Sequence, residues 1–437
     1  MPDWKRPLRE GDASLQDSWI IKTERIARMA TISVFAQHPP VTSPAAELPA
    51  WRRILIIVIL LTGGIKSALA FTTVVPALQL IAQEYSGTGD AVLSAQFVVT
   101  LAPIGMALAG LLAGAIVSST NLRGMMFGSL AVCTIAGLLQ LIPMNYYLLL
   151  ASRFVLGFSA VLADVAMTSI LAAQFGGAFR SKLIGYRQAM SSIGTVSTML
   201  LAGWLAQKYG WRAPGIMFLL PGVMLAAAIF AFDKPITLER QVAAAGERFS
   251  IWQLWPLLLL SLVMSIGHTM PSFQMPFLLR ENGITSAVLV SRVPALSSAI
   301  SILAAFAFGF VYARLGAWTL VISATLMGAA FIGAGLAPSY EFILFCVVIE
   351  GIGAGWTIPF FLNRVLDKAS PAQRNYGIGI VQSSLFLGHF LNPILTAPVR
   401  LNFGIHGTFV AVGGALVLVA VLIAAWTIAM RGGRRSI

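Results

Sequence analysis

The sequence predicts an all-α membrane protein, with twelve transmembrane helices arranged as two pseudo-symmetric six-helix bundles. Composition is the first observation behind this fold class. Hydrophobic residues make up 58% of the 437 residues and charged residues only 10%, whereas a soluble protein carries about 25% charged residues. The second is that apolar residues occur in runs of about 20, the length needed to cross roughly 30 Å of hydrocarbon. The third is that these runs form two equal sets on either side of one polar segment.

Twelve apolar runs are long enough to cross a bilayer. Their lengths suit tilted helices, and their boundaries are soft by several residues. Polar residues interrupt the fifth and eighth runs more than the others. The predicted limits are 54–80, 91–117, 124–143, 146–172, 185–206, 214–232, 252–279, 287–312, 317–336, 340–365, 376–399 and 404–430.

The runs define two domains and a linker. Residues 51–232 are predicted to form the N-terminal bundle and residues 252–430 the C-terminal bundle. Residues 233–251 read as a cytoplasmic linker between them, and residues 431–437 as a basic cytoplasmic tail. Two halves of this kind are typical of secondary transporters whose site lies between the halves at the midplane of the bilayer.

Residues 1–50 are predicted to be a cytoplasmic tail. Apolar residues between 15 and 32 fall near helical spacing with basic residues between them, which fits an amphipathic helix on the inner leaflet. A disordered tail is the stronger interpretation, because HPPVTSPAAELP at 38–49 is rich in proline. No cleavable signal peptide is expected, since the first long apolar run has full spanning length. Met29 is an alternative start of translation.

Basic residues predict the orientation. Most lie on one side of the membrane, so the positive-inside rule places both termini in the cytoplasm, with the cell inner membrane as the expected location. The net charge of +13 is then a topology signal, and no nucleic-acid partner is expected. The basic residues on the predicted cytoplasmic side are Arg52, Arg53, Arg123, Arg180, Lys182, Arg187, Lys234, Arg240, Arg248, Arg314, Arg364, Lys368, Arg374, Arg431, Arg434 and Arg435. Those on the opposite side are Lys208, Arg212, Arg280, Arg292 and Arg400.

Other function classes find little support. Cys133 and Cys346 lie inside apolar runs and are read as small apolar residues. The few histidines are scattered, so no metal site or cofactor is expected. No serine–histidine pair or other catalytic constellation is visible, which argues against an intramembrane enzyme. No nucleotide-binding motif is present either, which argues against transport driven directly by ATP hydrolysis.

The fourth run carries a recognisable motif. In LLASRFVLGFSAV, residues 149–161, the spacing of Leu149, Arg153 and Gly157 resembles the fourth-helix motif of the major facilitator superfamily. Leu156 stands where many members have glutamine.

Two loops extend the resemblance. After the second run, Gly114 and Arg123 match the family's loop motif, with Ser118 in place of its aspartate. The equivalent loop after the eighth run, GFVYARLG, retains three motif residues and has alanine at the aspartate position. The three retained residues are Gly309, Arg314 and Gly316. These loop residues are predicted to take part in the conformational change.

The resemblance covers residues 50–430 and implies a function. Members of this superfamily move small solutes by alternating access, with spans one, four, seven and ten lining a central cavity. We expect a monomeric secondary transporter of a small organic solute that is driven by protons and exports the solute. Uptake of a small metabolite and a non-transporting sensor on the same fold remain alternatives. The fifth run, IGTVSTMLLAGWL, matches the antiporter motif only in part.

Four ionisable residues that lie well inside predicted spans one, four and ten are the candidates for substrate binding or proton coupling. They are Lys66, Arg153, Asp164 and Glu350. Intramembrane charges are rare and usually face a cavity or one another, and burial can bring a carboxyl group toward protonation near neutral pH. Arg153 and Glu350 have similar depths, so they are expected to face each other across the cavity. A structural buried pair is the alternative for every one of these charges.

Lys66 poses the sharpest question, because a lysine at mid-bilayer costs about 2.5–3.5 kcal/mol. At a rise of about 1.5 Å per residue, the nearer membrane face is beyond the reach of its side chain. Asp164 is the nearest carboxylate in depth. We therefore predict that Lys66 pairs with Asp164 in one conformation and faces the cytoplasmic half of the cavity. A permanent pair that only fixes helix packing is an equal alternative.

Five further residues are weaker candidates for the cavity lining. They are His268, Gln274, Trp356, Asn363 and His389. Packing is the stronger interpretation for each. Pro271 and Pro276 predict a broken seventh helix beside two of them. The glycines of GIGAG, residues 351–355, predict close approach of neighbouring helices rather than a phosphate loop.

Overall fold

The computed structural model describes residues 49–119, 121–175, 177–233, 255–368 and 374–433. Within these ranges the chain is almost entirely helical and contains no β-strand. Eleven of the described helices are long and apolar enough to cross a membrane. The predicted N-terminal tail, most of the linker and the last four residues of the C-terminal tail lie outside the described residues.

Six spans form the first half of the chain. Span one breaks where Pro76, which has no amide N–H, opens a short 3-10 turn at Val75–Ala77. The helices of spans one to six are Ala50–Thr72 with its continuation Leu78–Glu84, then Ala91–Ser119, Leu122–Leu138, Tyr146–Gln174, Gly177–Tyr209 and Leu219–Ala231.

The second half contains the other six spans. Spans eleven and twelve form one continuous helical segment, and Gly404 divides them with a φ of 69°, a conformation that favours glycine. Counting the two arms separately gives the twelve predicted spans. The helices of spans seven to twelve are Trp255–His268 with Met270–Phe273 and Met275–Glu281, then Ala287–Leu315, Trp318–Gly335, Tyr340–Lys368 and Arg374–Gly433.

Two predicted features of single spans can be compared with the structure. Span seven is broken at both predicted positions, since new helical segments begin beside Pro271 and Pro276. The helix of span five begins at Gly177, and its spanning part, Lys182–Tyr209, agrees with the predicted limits of 185–206 within a few residues. Arg187, which the prediction counted among the cytoplasmic basic residues, lies about three turns inside the helix.

The helices pack mainly within each half. Span four contacts spans two and three, and span one contacts spans four, five and six. In the second half, span ten contacts spans eight and nine. The two halves meet where span two packs on span eleven and where span five packs on span eight. This architecture places spans one, four and five together in the first half, where the predicted charges lie.

Glycines allow the closest of these contacts. A Cβ atom on Gly353 would lie 2.6 Å from the carbonyl oxygen of Ser323, and one on Gly351 would lie 3.0 Å from that of Ser297. The first distance is shorter than real Cβ contacts, and a Cβ on Gly351 would also lie 2.9 Å from Ile300 Cβ, so a side chain at either position would push a neighbouring helix away. The predicted role of the GIGAG glycines in helix packing is confirmed.

Candidate functional site

Spans one, four and five bring three charged side chains together inside the first half. Lys66 Nζ lies 3.5 Å from Asp164 Oδ1, and Arg187 Nη2 lies 2.6 Å from the same oxygen. Ser67 Oγ donates a hydrogen bond of 2.6 Å to Asp164 Oδ2. We call Lys66, Ser67, Asp164 and Arg187 the Lys66 cluster. The two cations share one carboxylate, so the cluster carries a net positive charge.

The members of the Lys66 cluster differ in their exposure. The side chain of Lys66 is 0% exposed, that of Arg187 is 13% exposed and that of Asp164 is 32% exposed. Lys66 Nζ also donates a hydrogen bond of 2.7 Å to the carbonyl oxygen of Ala160. Lys66 is therefore fully buried behind the carboxylate, and Asp164 is the most exposed of these three charged side chains.

Two glycines make room for the Lys66 cluster. A Cβ atom on Gly64 would lie 2.8 Å from the carbonyl oxygen of Arg187, and one on Gly63 would lie 2.7 Å from Met167 Sδ. Span five therefore packs directly on the backbone of span one at this level. That close approach allows the Arg187 side chain to reach Asp164 on span four.

The predicted contact of Lys66 with Asp164 is present, and its role in transport stays a prediction. Arg187 is the residue that sequence reasoning did not include. The signal for it was available, because Arg187 lies within the predicted limits of the fifth span, 185–206. It was instead attributed to the cytoplasmic flank.

Arg153 and Glu350 do not meet. The Arg153 guanidinium donates to Gln140 Oε1, and Gln140 Nε2 in turn donates to the carbonyl oxygen of Trp211 at 3.0 Å. Glu350 Oε2 accepts a hydrogen bond of 2.7 Å from Ser297 Oγ. Both charged side chains are 1% exposed. Each lies inside its own half, contrary to the expectation that they face each other.

The rotation of each helix about its axis explains why Arg153 and Glu350 do not meet. Depth along a helix follows from residue spacing, but the side of the helix that a residue occupies depends on how the helix is rotated in the bundle. Arg153 points toward the turn that follows span three, and Glu350 points toward span eight. Among the described residues, Arg153 Nε and Nη1 and Glu350 Oε1 have no hydrogen-bond partner.

The two intramembrane histidines lie side by side. The rings of His268 on span seven and His389 on span eleven are stacked, with centroids 6.3 Å apart. Phe71, Phe273 and Phe386 present their rings edge-on to His389. Because Phe71 belongs to span one, this group lies where the two halves meet. Neither Nδ1 atom has a hydrogen-bond partner among the described residues.

Gln274 belongs to a buried amide network. Its Nε2 donates to Asn392 Oδ1 at 2.8 Å and to Thr396 Oγ1 at 2.6 Å. Its Oε1 accepts a 2.8 Å hydrogen bond from Gln96 on span two. Gln274 is 0% exposed, so in this conformation it joins the two halves and does not face a cavity.

Trp356, Asn363 and Arg314 are candidate residues that lie outside the groups described above. Trp356 Nε1 donates to the carbonyl oxygen of Ala304 at 3.0 Å, which fits a packing role, and Asn363 is half-buried on span ten. Arg314 stacks on Phe310 at 3.7 Å.

The other loop residues lie at the ends of helices or within the last two turns before an end. Arg123 Nη1 donates to the carbonyl oxygen of Asp233 at 2.7 Å. Gly316, with a φ of 53°, terminates span eight. Gly309 lies within span eight and would tolerate a Cβ, and Gly114 lies on the helix of span two. The motif aspartates are missing, yet Arg52 forms an ion pair of 2.6 Å with Asp233, which ties span one to the end of span six.

The two halves are joined near the end of the bundle that the basic residues assign to the outer side. Arg400 on span eleven forms an ion pair with Asp90, just before span two. Gln79 Nε2 donates to the carbonyl oxygen of Pro276 at 2.6 Å, and Gln207 Oε1 accepts from the amide of Ala287 at 2.7 Å. We call these three contacts the outer closure.

Towards the other end, polar contacts between the halves become sparse. Among the described residues, the hydrogen bond between the halves that lies nearest the inner end is 3.3 Å long and runs from Ser383 Oγ to the carbonyl oxygen of Ala107. Ala107 is twelve residues from the inner end of span two at Ser119. The described polar contacts therefore hold the halves together mainly at the outer end.

A comparison with protein-family models identifies the family. The model described as Major Facilitator Superfamily matches residues 60–320 and 257–436. The chain belongs to the major facilitator superfamily. It is a multi-pass membrane protein of a transporter family, and neither the family nor the fold is that of an enzyme.

Solved structures of transporters share the fold. A peptide transporter of the POT type has a TM-score of 0.71 at 13% identity, over 86% of this chain and 95% of that chain. A D-xylose–proton symporter has a TM-score of 0.67 at 14% identity, over 85% of this chain and 97% of that chain. These identities establish the fold and not the substrate.

Sequence relatives match over a shorter stretch. Multidrug resistance protein B homologs from two strains of Mycobacterium tuberculosis, CDC 1551 / Oshkosh and ATCC 25618 / H37Rv, are 30% identical over 120 residues. The match spans 27% of this chain and 22% of each relative. The chain thus matches about a fifth of the length of these curated relatives.

Proposed function

We propose that this superfamily member is a proton-coupled exporter of a small organic solute that works by alternating access. The proposal places it in the cell inner membrane with both termini in the cytoplasm. The observation that carries it is the Lys66 cluster, in which three ionisable side chains meet inside the spans with one face of Asp164 exposed. Charges at membrane depth are costly and are retained mainly on substrate and ion pathways.

Two carboxyl groups are available for a proton. Asp164 is partly exposed, and neutralising its carboxylate would weaken its ion pairs with Lys66 and Arg187. Glu350 is buried with a serine hydroxyl as its hydrogen-bond donor. A buried carboxyl group without a cation is less costly to bury as the neutral acid than as the anion. Either group can bind a proton in one conformation and release it in another.

The direction of transport rests on the multidrug resistance relatives, whose shared segment favours efflux. Uptake is the alternative, because the D-xylose–proton symporter has the same fold. The two directions require opposite couplings. An exporter exchanges the solute for a proton, whereas an importer of this kind moves both together.

Proteoliposomes with an internal pH-sensitive dye test this proposal. The probes are radiolabelled benzoate, benzyltrimethylammonium and benzyl alcohol, which share a ring and differ in charge. The proposal predicts that an imposed pH step drives at least one probe against the proton flux, and that an uncoupler abolishes this. Flux that ignores the pH step and the uncoupler would contradict proton coupling. No flux of any probe, in protein shown to be folded, would contradict the proposed export of a small organic solute.

A further inference from the structure

The charge of the Lys66 cluster bears on the class of solute. We propose that the transported solute is an organic anion, whose carboxylate or phosphate group binds beside Arg187 and Asp164 on the exposed side of the cluster. This inference rests on the proposed function and adds to it the chemistry of the solute.

The first argument is the charge balance. Lys66 Nζ and Arg187 Nη2 both contact Asp164 Oδ1, while Asp164 Oδ2 accepts from the neutral hydroxyl of Ser67. Two positive charges therefore share one negative charge within the membrane-spanning helices. An uncompensated charge at membrane depth is costly, and a second anion would remove that cost.

Other charges at membrane depth do not supply the missing anion. Glu350 accepts its hydrogen bond from Ser297 in the second half of the chain. Arg153 donates to Gln140 and would in any case add positive charge. Among the described residues, Asp164 is the only carboxylate in ion-pair contact with Lys66 or Arg187.

The second argument is access. Thr168 lies one turn beyond Asp164 on span four and is exposed, and the Arg187 guanidinium donates to its hydroxyl. Ala172, one turn further, is exposed as well. The carboxylate of Asp164 and the hydroxyl of Thr168 lie on the same side of span four. We infer that this side borders a water-filled crevice, because a carboxylate in contact with lipid would be strongly disfavoured.

The third argument is the chemistry of the donor groups. The guanidinium of Arg187 is planar and offers several N–H donors that match the two oxygens of a carboxylate or phosphate. Its side chain is 13% exposed, so a solute in the crevice can reach it while Lys66 provides positive charge behind it. A cationic solute would instead compete with two resident cations for one carboxylate.

The test is counterflow in proteoliposomes preloaded with each of the three probes: benzoate, benzyltrimethylammonium and benzyl alcohol. We expect protein-dependent exchange of benzoate, after subtraction of exchange in protein-free liposomes, to exceed that of either other probe by at least about tenfold. The Arg187→Gln variant should lose that preference, since it removes the charge and the paired donors. Arg53→Gln, which removes a basic residue outside the Lys66 cluster, is the matched control and should retain it.

A second variant covers the case in which Arg187→Gln fails to insert. Arg187→Lys keeps the charge and loses the planar donor geometry, so it should still prefer benzoate with exchange reduced several-fold. Selective exchange of benzyltrimethylammonium or benzyl alcohol would overturn the anion inference and leave the proposed transport intact. Absence of exchange for all three probes would overturn both.

Discussion

At the residue scale, Asp164 accepts contacts from Lys66, Ser67 and Arg187, so the loss of different partners should have different consequences. The Lys66→Met variant leaves the 2.6 Å pair of Arg187 with Asp164 intact. We expect it to insert and fold with the yield of the native protein. Transport should fall by at least tenfold, because the positive charge behind the carboxylate is gone. The measurement is proteoliposome flux normalised to folded protein from gel filtration.

Asp164→Asn provides the comparison for that variant. It leaves Lys66 and Arg187 without their carboxylate, and removing one partner of a buried pair typically costs 3–5 kcal/mol. Its thermal unfolding in detergent should therefore shift to lower temperature while that of Lys66→Met does not. Normal transport by Lys66→Met would show that the lysine only fixes packing.

The charge exchange Lys66→Asp with Asp164→Lys is not a neutral swap in this structure. It would place the new lysine against Arg187, whose Nη2 lies 2.6 Å from the present Asp164 carboxylate. We expect the double variant to recover neither stability nor flux. Recovery of both stability and flux would mean that Arg187 does not affect the pair formed by residues 66 and 164.

Glu350 provides a second prediction at this scale. Glu350→Gln keeps an oxygen that can accept from Ser297 and removes the titratable proton. Proton-driven flux should be lost while solute exchange without a pH step continues. The control is Ser297→Ala, which keeps the carboxyl group and should retain the response to the pH step. Equal loss of exchange and driven flux in Glu350→Gln would assign the residue to packing or binding instead.

At the element scale, the contact between spans one and five positions Arg187. A Cβ on Gly64 would lie 2.8 Å from the carbonyl oxygen of Arg187, which is backbone and cannot rotate away. Gly64→Val should therefore destabilise the protein by about 1–3 kcal/mol, the usual cost of overpacking. Thermal unfolding in detergent and transport should both decline.

Gly128→Ala on span three is the matched glycine substitution. A Cβ there meets nothing within 4 Å, and alanine has the better helix propensity. This variant should be neutral or slightly stabilising. A Gly64→Val protein as stable as the Gly128→Ala protein would contradict the close approach of spans one and five.

The sequence predicts which segments form helices better than it predicts which side of each helix faces a given neighbour. Apolar runs and prolines were sufficient for the number of spans and for the break in span seven. The limits of span five were predicted within a few residues, but Arg187 was assigned to the cytoplasmic side, because an arginine looks like a membrane flank until a partner on another helix is known. Likewise, the depths of Arg153 and Glu350 followed from spacing, but their partners depend on helix rotation. The stacking of His268 and His389 had no local signal, since they come from spans seven and eleven.

At the scale of the whole molecule, alternating access requires the outer closure to break. The described polar contacts between the halves include the ion pair of Asp90 with Arg400 and the hydrogen bonds of Gln79, Gln96 and Gln207. Each is individually modest, at about 0.5–1.5 kcal/mol net for a typical hydrogen bond. Contacts of that size can hold a closed end and still release it during a transport cycle.

The most direct test of this account is to cross-link the outer closure in protein whose buried native cysteines are replaced by alanine. The variant Asp90→Cys with Arg400→Cys joins the two halves, and a short bifunctional methanethiosulfonate reagent links the pair. Glu84→Cys with Arg212→Cys replaces an ion pair within the first half and is the control. We predict that cross-linking the first pair stops transport until a reductant is added, whereas cross-linking the second does not. Full transport with the first pair linked would contradict alternating access between these halves.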